Sequence, residues 1–166
     1  MAITKLVADS ITSGVAGVNT PYFEATLSSS TGYLTNNTYV KVQCDSEIHD
    51  SAGNYDNSTN YRFTPTTAGK YFIYANVTGD GNGDGRLRNM YCAIYKNGSR
   101  IKESRINLAN NHGRNVCMTI CGIFTMNGSS DYIELYGAVD DSSGSSQGYF
   151  VGGEHKCLFG GYKIIE

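Results

Sequence analysis

Between residues 116 and 126 the chain alternates. Val116, Met118, Ile120, Phe124 and Met126 fall on one side of an extended backbone, and Cys117, Thr119, Cys121 and Thr125 on the other. A repeat of two is the period of a β-strand with one face on a core. Residues 132–139 repeat the pattern: Ile133, Leu135 and Val139 oppose Tyr132, Glu134 and Tyr136. Such strands must bury their apolar side against a second layer, so the pattern points to a two-layer antiparallel sandwich.

The rest of the chain agrees. Strand-like runs stand at residues 22–27, 38–43, 70–78, 88–96, 99–106, 115–126, 131–139 and 157–165, with a short one at 61–64. Clusters of Gly, Asn, Ser and Asp separate them, and no long segment carries a helical period with caps. "KNG" (96–98) reads as a tight hairpin turn. With 166 residues, the chain fits one domain with a real core. Residues 1–20 read as a separate arm closed by glycines and Pro21, and residues 21–166 as the sandwich.

Composition narrows the partners. Net charge is −2, with 17% charged residues and no run of Lys or Arg. Nucleic acid and anionic membranes are therefore not expected as partners. No 18-residue apolar stretch would span a membrane. The first residues lack the basic start and apolar run of a signal peptide. Thirteen tyrosines without a tryptophan supply outward aromatics. Tyr91, Tyr95, Tyr132 and Tyr136 are the expected self-association surface.

Chemistry is sparse. "GDGNGDGR" (79–86) starts like a calcium loop, with Asp80, Asn82 and Asp84 at alternate positions. The twelfth position is Tyr91 rather than a bidentate Glu, and Arg86 and Arg88 occupy ligand positions. The segment reads as a turn between strands, and no metal or other cofactor is expected. "GSSQG" (144–148) matches a nucleophile-elbow spacing but lies in a polar loop, without the strand and helix that chemistry needs. His49, His112 and His155 fall in separate loops with no nucleophile beside them. Asp140 and Asp141 read as solvated loop carboxylates. The five cysteines, Cys44, Cys92, Cys117, Cys121 and Cys157, lack metal-site spacing and read as small buried free thiols. An enzyme is not expected.

Residues 54–73, "NYDNSTNYRFTPTTAGKYFI", resemble the signature of the complement C1q and tumour-necrosis-factor superfamily through Tyr55, Asp56, Phe63, Pro65, Gly69 and Tyr71. The Lys96–Gly98 turn, Asp131, Ile133 and Leu135 of "DYIEL", and Phe159 with Gly161 extend the resemblance over most of residues 38–165. It implies a ten-stranded jelly roll that forms compact trimers, with calcium held at one apex in some members. The opening "MAITK" and the segment Asn19–Ala25 are similar to virion proteins of tailed bacteriophages. That resemblance implies a homotrimeric capsid decoration or cement protein, assembled in the host cytoplasm and located in the virion. Ile3, Leu6, Val7 and Ile11 of the arm would attach it to the major capsid protein or another virion protein. The alternative is the head of a tail fibre that binds a host-surface glycan or receptor.

Overall fold

A computed structural model describes residues 18–165. The arm residues Ile3, Leu6, Val7 and Ile11 lie outside them. Twelve strands and no helix occur among the described residues. They are β1 (Tyr22–Thr26), β2 (Val40–Lys41), β3 (Ser46–Asp50), β4 (Tyr55–Asp56), β5 (Arg62–Phe63) and β6 (Gly69–Asp80), followed by β7 (Leu87–Lys96), β8 (Ser99–Asn107), β9 (Asn115–Met126), β10 (Ile133–Asp141), β11 (Tyr149–Phe150) and β12 (Leu158–Lys163).

All pairings are antiparallel and form two sheets. In sheet A, β9 takes one whole edge of β6, while β12 and β11 follow one another along the other; β1 and β3 continue outward. In sheet B, β8 and β7 precede β10, whose far edge is shared by β2 and β5, and β4 closes it. The twelve strands thus occupy five lanes per sheet. The ten-stranded expectation fits the lanes, and the extra strands come from interruptions in two of them.

The alternation read from the sequence sorts the core. Tyr71, Ile73, Ala75 and Val77 of β6, Ile94 and Cys92 of β7, and Ile133, Leu135 and Val139 of β10 are all buried. Four residues of the superfamily-like signature meet around Phe23 of β1. Its ring stacks on Phe63 at 4.2 Å and Tyr55 at 5.0 Å and meets Phe159 edge-on at 4.9 Å, while Tyr71 lies 5.6 Å from Phe63. Gly161 is required beside this cluster, because a Cβ there would lie 2.5 Å from the Ile73 side chain.

Two other signature residues hold turns. The Asp56 carboxylate accepts the backbone N–H groups of Ser58, Thr59 and Asn60. Asp131 accepts from Asn97 and Lys96 of the tight hairpin and from the Asn127 backbone, so it joins two loops at one end.

Two expectations need correction. His49 lies in strand β3, not in a loop. Only Cys44, Cys92 and Cys157 are buried; Cys117 and Cys121 are exposed on the outer side of β9, and all five are free.

Candidate assembly faces and apex

Sheet A carries an apolar stripe on its outer side. Strand registers place Ile123, Phe72, Tyr162 and Tyr22 in one row across β9, β6, β12 and β1. Ile123 is 59% exposed, Tyr22 43% and Tyr162 36%. The Phe72 ring lies 5.6 Å from Tyr162 and 6.2 Å from Tyr74. The next row runs Cys121, Tyr74, Gly160, Glu24 and His49. A Cβ on Gly160 would lie 2.6 Å from the Tyr74 phenol. Its absence lets Tyr74 reach across and donate to Glu24 at 2.7 Å. Burial, then that hydrogen bond to a carboxylate, raises the Tyr74 pKa. A shallow cleft results, lined by Tyr22, Glu24, His49, Tyr74 and Tyr162.

The side formed by β8 and β9 is open. No residue of β8 is buried. The inward residues Val116, Met118 and Phe124 of β9, with Ile106 of β8, are only partly covered. Exposed Ile101 and Lys102 border this seam.

The four tyrosines singled out from the sequence lie half-buried on the outside of sheet B. Tyr95 stacks on Tyr136 at 4.1 Å, and Tyr39 bridges to Tyr91 and Tyr95. The array is roofed from within the same chain. Arg62 lies 4.3 Å over Tyr132, Arg100 4.7 Å over Tyr39, and Lys41 5.9 Å from Tyr136 while paired with Glu134 at 2.6 Å. These cations occupy ring faces that a partner would otherwise cover. Sequence reading missed the stripe on sheet A because "YFIY" is apolar on both sides, which hides its alternation.

At one apex, the 79–86 loop is the turn between β6 and β7. Asp80 accepts the Asn82 backbone N–H at 2.6 Å and faces Arg114 at 3.6 Å. Arg114 also pairs with Asp84 at 3.3 Å. A guanidinium therefore stands between the two carboxylates of the calcium-like motif. Asp140 is gripped by Arg88 through two hydrogen bonds and by Asn89 through one. Burial pushes the Asp140 pKa up, and these hydrogen bonds with the Arg88 charge outweigh it, so it sits below the ordinary value. Asp141 is fully buried and accepts from the Ser143, Gln147 and Gly148 backbones and the Ser143 hydroxyl. Neither aspartate is the solvated carboxylate that the sequence suggested. Among the described residues no three His, Cys, Asp or Glu side chains converge as a metal set. Ser146 sits in a loop, where its hydroxyl accepts the Asn36 N–H.

No family model matches the sequence, and no curated protein matches it. Solved structures do. Murine APRIL superposes with a TM-score of 0.62 at 10% identity, covering 86% of this chain and 98% of that one. The globular domain of zebrafish complement 1qA protein gives 0.56 at 12% identity, covering 88% and 98%. The chain has the TNF/C1q-like jelly-roll fold. In this TNF/C1q-like jelly roll, the aromatic cluster around Phe23 binds the two sheets. The outer side of sheet A and the open β8–β9 edge both carry uncovered apolar groups.

Proposed function

We propose that the chain is a non-enzymatic structural module that assembles as a homotrimer, each copy laying its β8–β9 edge on the outer side of sheet A of the next. The row of exposed Ile123, Tyr162 and Tyr22 with half-buried Phe72 carries this reading. A head-to-tail contact of two different surfaces closes a ring when the rotation is a third of a turn, and a ring leaves neither surface open. Charge supports the pairing. Beside the seam β8 carries Lys102, whose Nζ lies next to Gly122 of β9, while β1 and β3 carry Glu24, Glu47 and Asp50. Mass measurement in solution tests it. Three times the 18.0 kDa chain is expected, and a monomer at micromolar concentration overturns it.

Within that reading, the trimer is a capsid decoration or cement protein of a tailed-bacteriophage virion, attached by its N-terminal arm. The similarity of "MAITK" and of Asn19–Ala25 to phage virion proteins supports this. A trimer on a local threefold axis bridges neighbouring subunits of the major capsid protein and resists internal pressure. The copy number in purified particles tests the assignment. Decoration predicts tens to hundreds of trimers per particle, and a handful would assign it to a tail fibre instead.

A further inference from the structure

We infer that the apex built from residues 33, 82, 86 and 147 is a binding site for a neutral saccharide. Three loops distant in sequence converge there. Tyr33 is 63% exposed and offers a free aromatic face, with the Tyr149 ring 6.4 Å away. The Tyr33 hydroxyl accepts from Asn82 Nδ2 at 3.1 Å. Asn82 Nδ2 also reaches Gln147 Oε1 at 3.5 Å, and Arg86 Nη1 donates to the same oxygen at 3.0 Å. The four side chains thus brace one another.

Each keeps capacity that the chain does not use. Among the described residues, Asn82 Oδ1, Gln147 Nε2, Arg86 Nη2 and the Tyr33 hydroxyl proton have no protein partner. Planar amide and guanidinium groups that present unused donors and acceptors beside a bare aromatic ring match a sugar, which has an apolar C–H face and a rim of hydroxyls.

The site is also held in place from below. Buried Asp80 fixes Asn82 through its backbone N–H, and fully buried Asp141 fixes Gln147 through its own at 2.7 Å. Asn82 and Ser146 adopt left-handed backbone conformations, with φ of 56° and 50°. Two buried carboxylates and two sparsely populated backbone conformations thus orient an exposed polar cluster, as expected where the first shell of a site must be rigid. Charge selects the ligand class. Asp84 is paired with Arg114, and Asp80 and Asp141 are satisfied internally. Arg86 is the one charge of the cluster, too few for a polyanion and suited to hydroxyl groups.

Calorimetric titration of the full chain with maltohexaose, cellohexaose, chitohexaose and mannohexaose tests this. At least one is expected to bind with a Kd of about 1 mM or tighter. Tyr33→Ala should weaken that binding by at least about tenfold and Gln147→Ala by about threefold or more, roughly the loss of one stacking and one hydrogen-bonding partner. Melting temperatures should match wild type, because Tyr33 is mostly exposed. Failure of all four sugars to bind overturns the inference. So does unchanged binding by Tyr33→Ala, or tighter binding of hyaluronan hexasaccharide or of oligo-dT than of any neutral sugar. Mass measured on the same samples separates this outcome from failure of the trimer reading.

Discussion

Asp141 shows at the scale of one residue how this fold supports its apex. Its side chain is 0% exposed, yet four groups of the 143–148 loop donate to it. Burial raises its pKa, and those hydrogen bonds outweigh burial, so the folded protein holds it below the ordinary value. Asp140 behaves alike through Arg88 and Asn89. A carboxylate with a depressed folded pKa contributes stability that is present above its unfolded pKa, near 3.9. That stability is lost as pH falls through the folded value. The melting temperature is therefore expected to be flat between pH 7 and about 5 and to fall below about pH 4. Asp140→Asn should flatten that fall, and a profile identical to wild type would remove Asp140 from the account. Asp141→Ala leaves the Gln147 and Gly148 N–H groups without their acceptor, and a loss of about 2–4 kcal/mol is expected in denaturant unfolding.

At the scale of elements, the β7–β8 hairpin turns on Asn97 and Gly98, whose φ values are 51° and 77°. A Cβ at Gly98 would meet only the Tyr132 hydroxyl at 3.6 Å, ordinary contact. Backbone strain is thus the whole cost of Gly98→Ala, about 1 kcal/mol, readable as a lower midpoint with an unchanged slope in urea. This turn was legible in the sequence because Asn-Gly has few other uses between two strand-like runs. The long strands β9 and β10 were legible because apolar and polar side chains alternate along much of their sequence, and β6 and β7 because they are long runs rich in aromatic and β-branched residues between turn signals. β3 was not. Its residues Ser46–Asp50 are exposed or nearly so on both sides, and an edge strand without a buried face leaves no alternation to find. The apex was hidden too. Nothing in "GYL" or "SSQG" announces that Tyr33 and Gln147 converge, since backbone hydrogen bonds from Thr31 and Leu34 to Phe150 and Gly148, far apart in sequence, bring them together.

For the whole molecule, the proposed homotrimer requires that one side of the sandwich face a threefold axis. Exposed aromatics stand on both sheets, but their partners differ. On sheet B, the chain's own Arg62, Arg100 and Lys41 already cover the tyrosine array. On sheet A, Tyr162, Tyr22 and Ile123 have no such cover, and the open β8–β9 seam is the apolar surface proposed to meet them. A carboxylate introduced into a contact must be desolvated without a partner, which costs about 3–5 kcal/mol at each site and is repeated three times around a ring. Tyr162→Glu is therefore expected to give a folded monomer by light scattering, with a β-rich circular-dichroism spectrum retained. Tyr136→Glu should remain a trimer, since a carboxylate there would still lie beside Lys41. The reverse outcome, monomeric Tyr136→Glu and trimeric Tyr162→Glu, would move the axis to sheet B. Salt discriminates further. If Lys102 of one copy faces Glu24, Glu47 or Asp50 of the next, trimer dissociation should increase between about 0.05 and 0.5 M NaCl as the Debye length shrinks from roughly 14 to 4 Å. A trimer held by the apolar row alone would tighten or stay unchanged over that range.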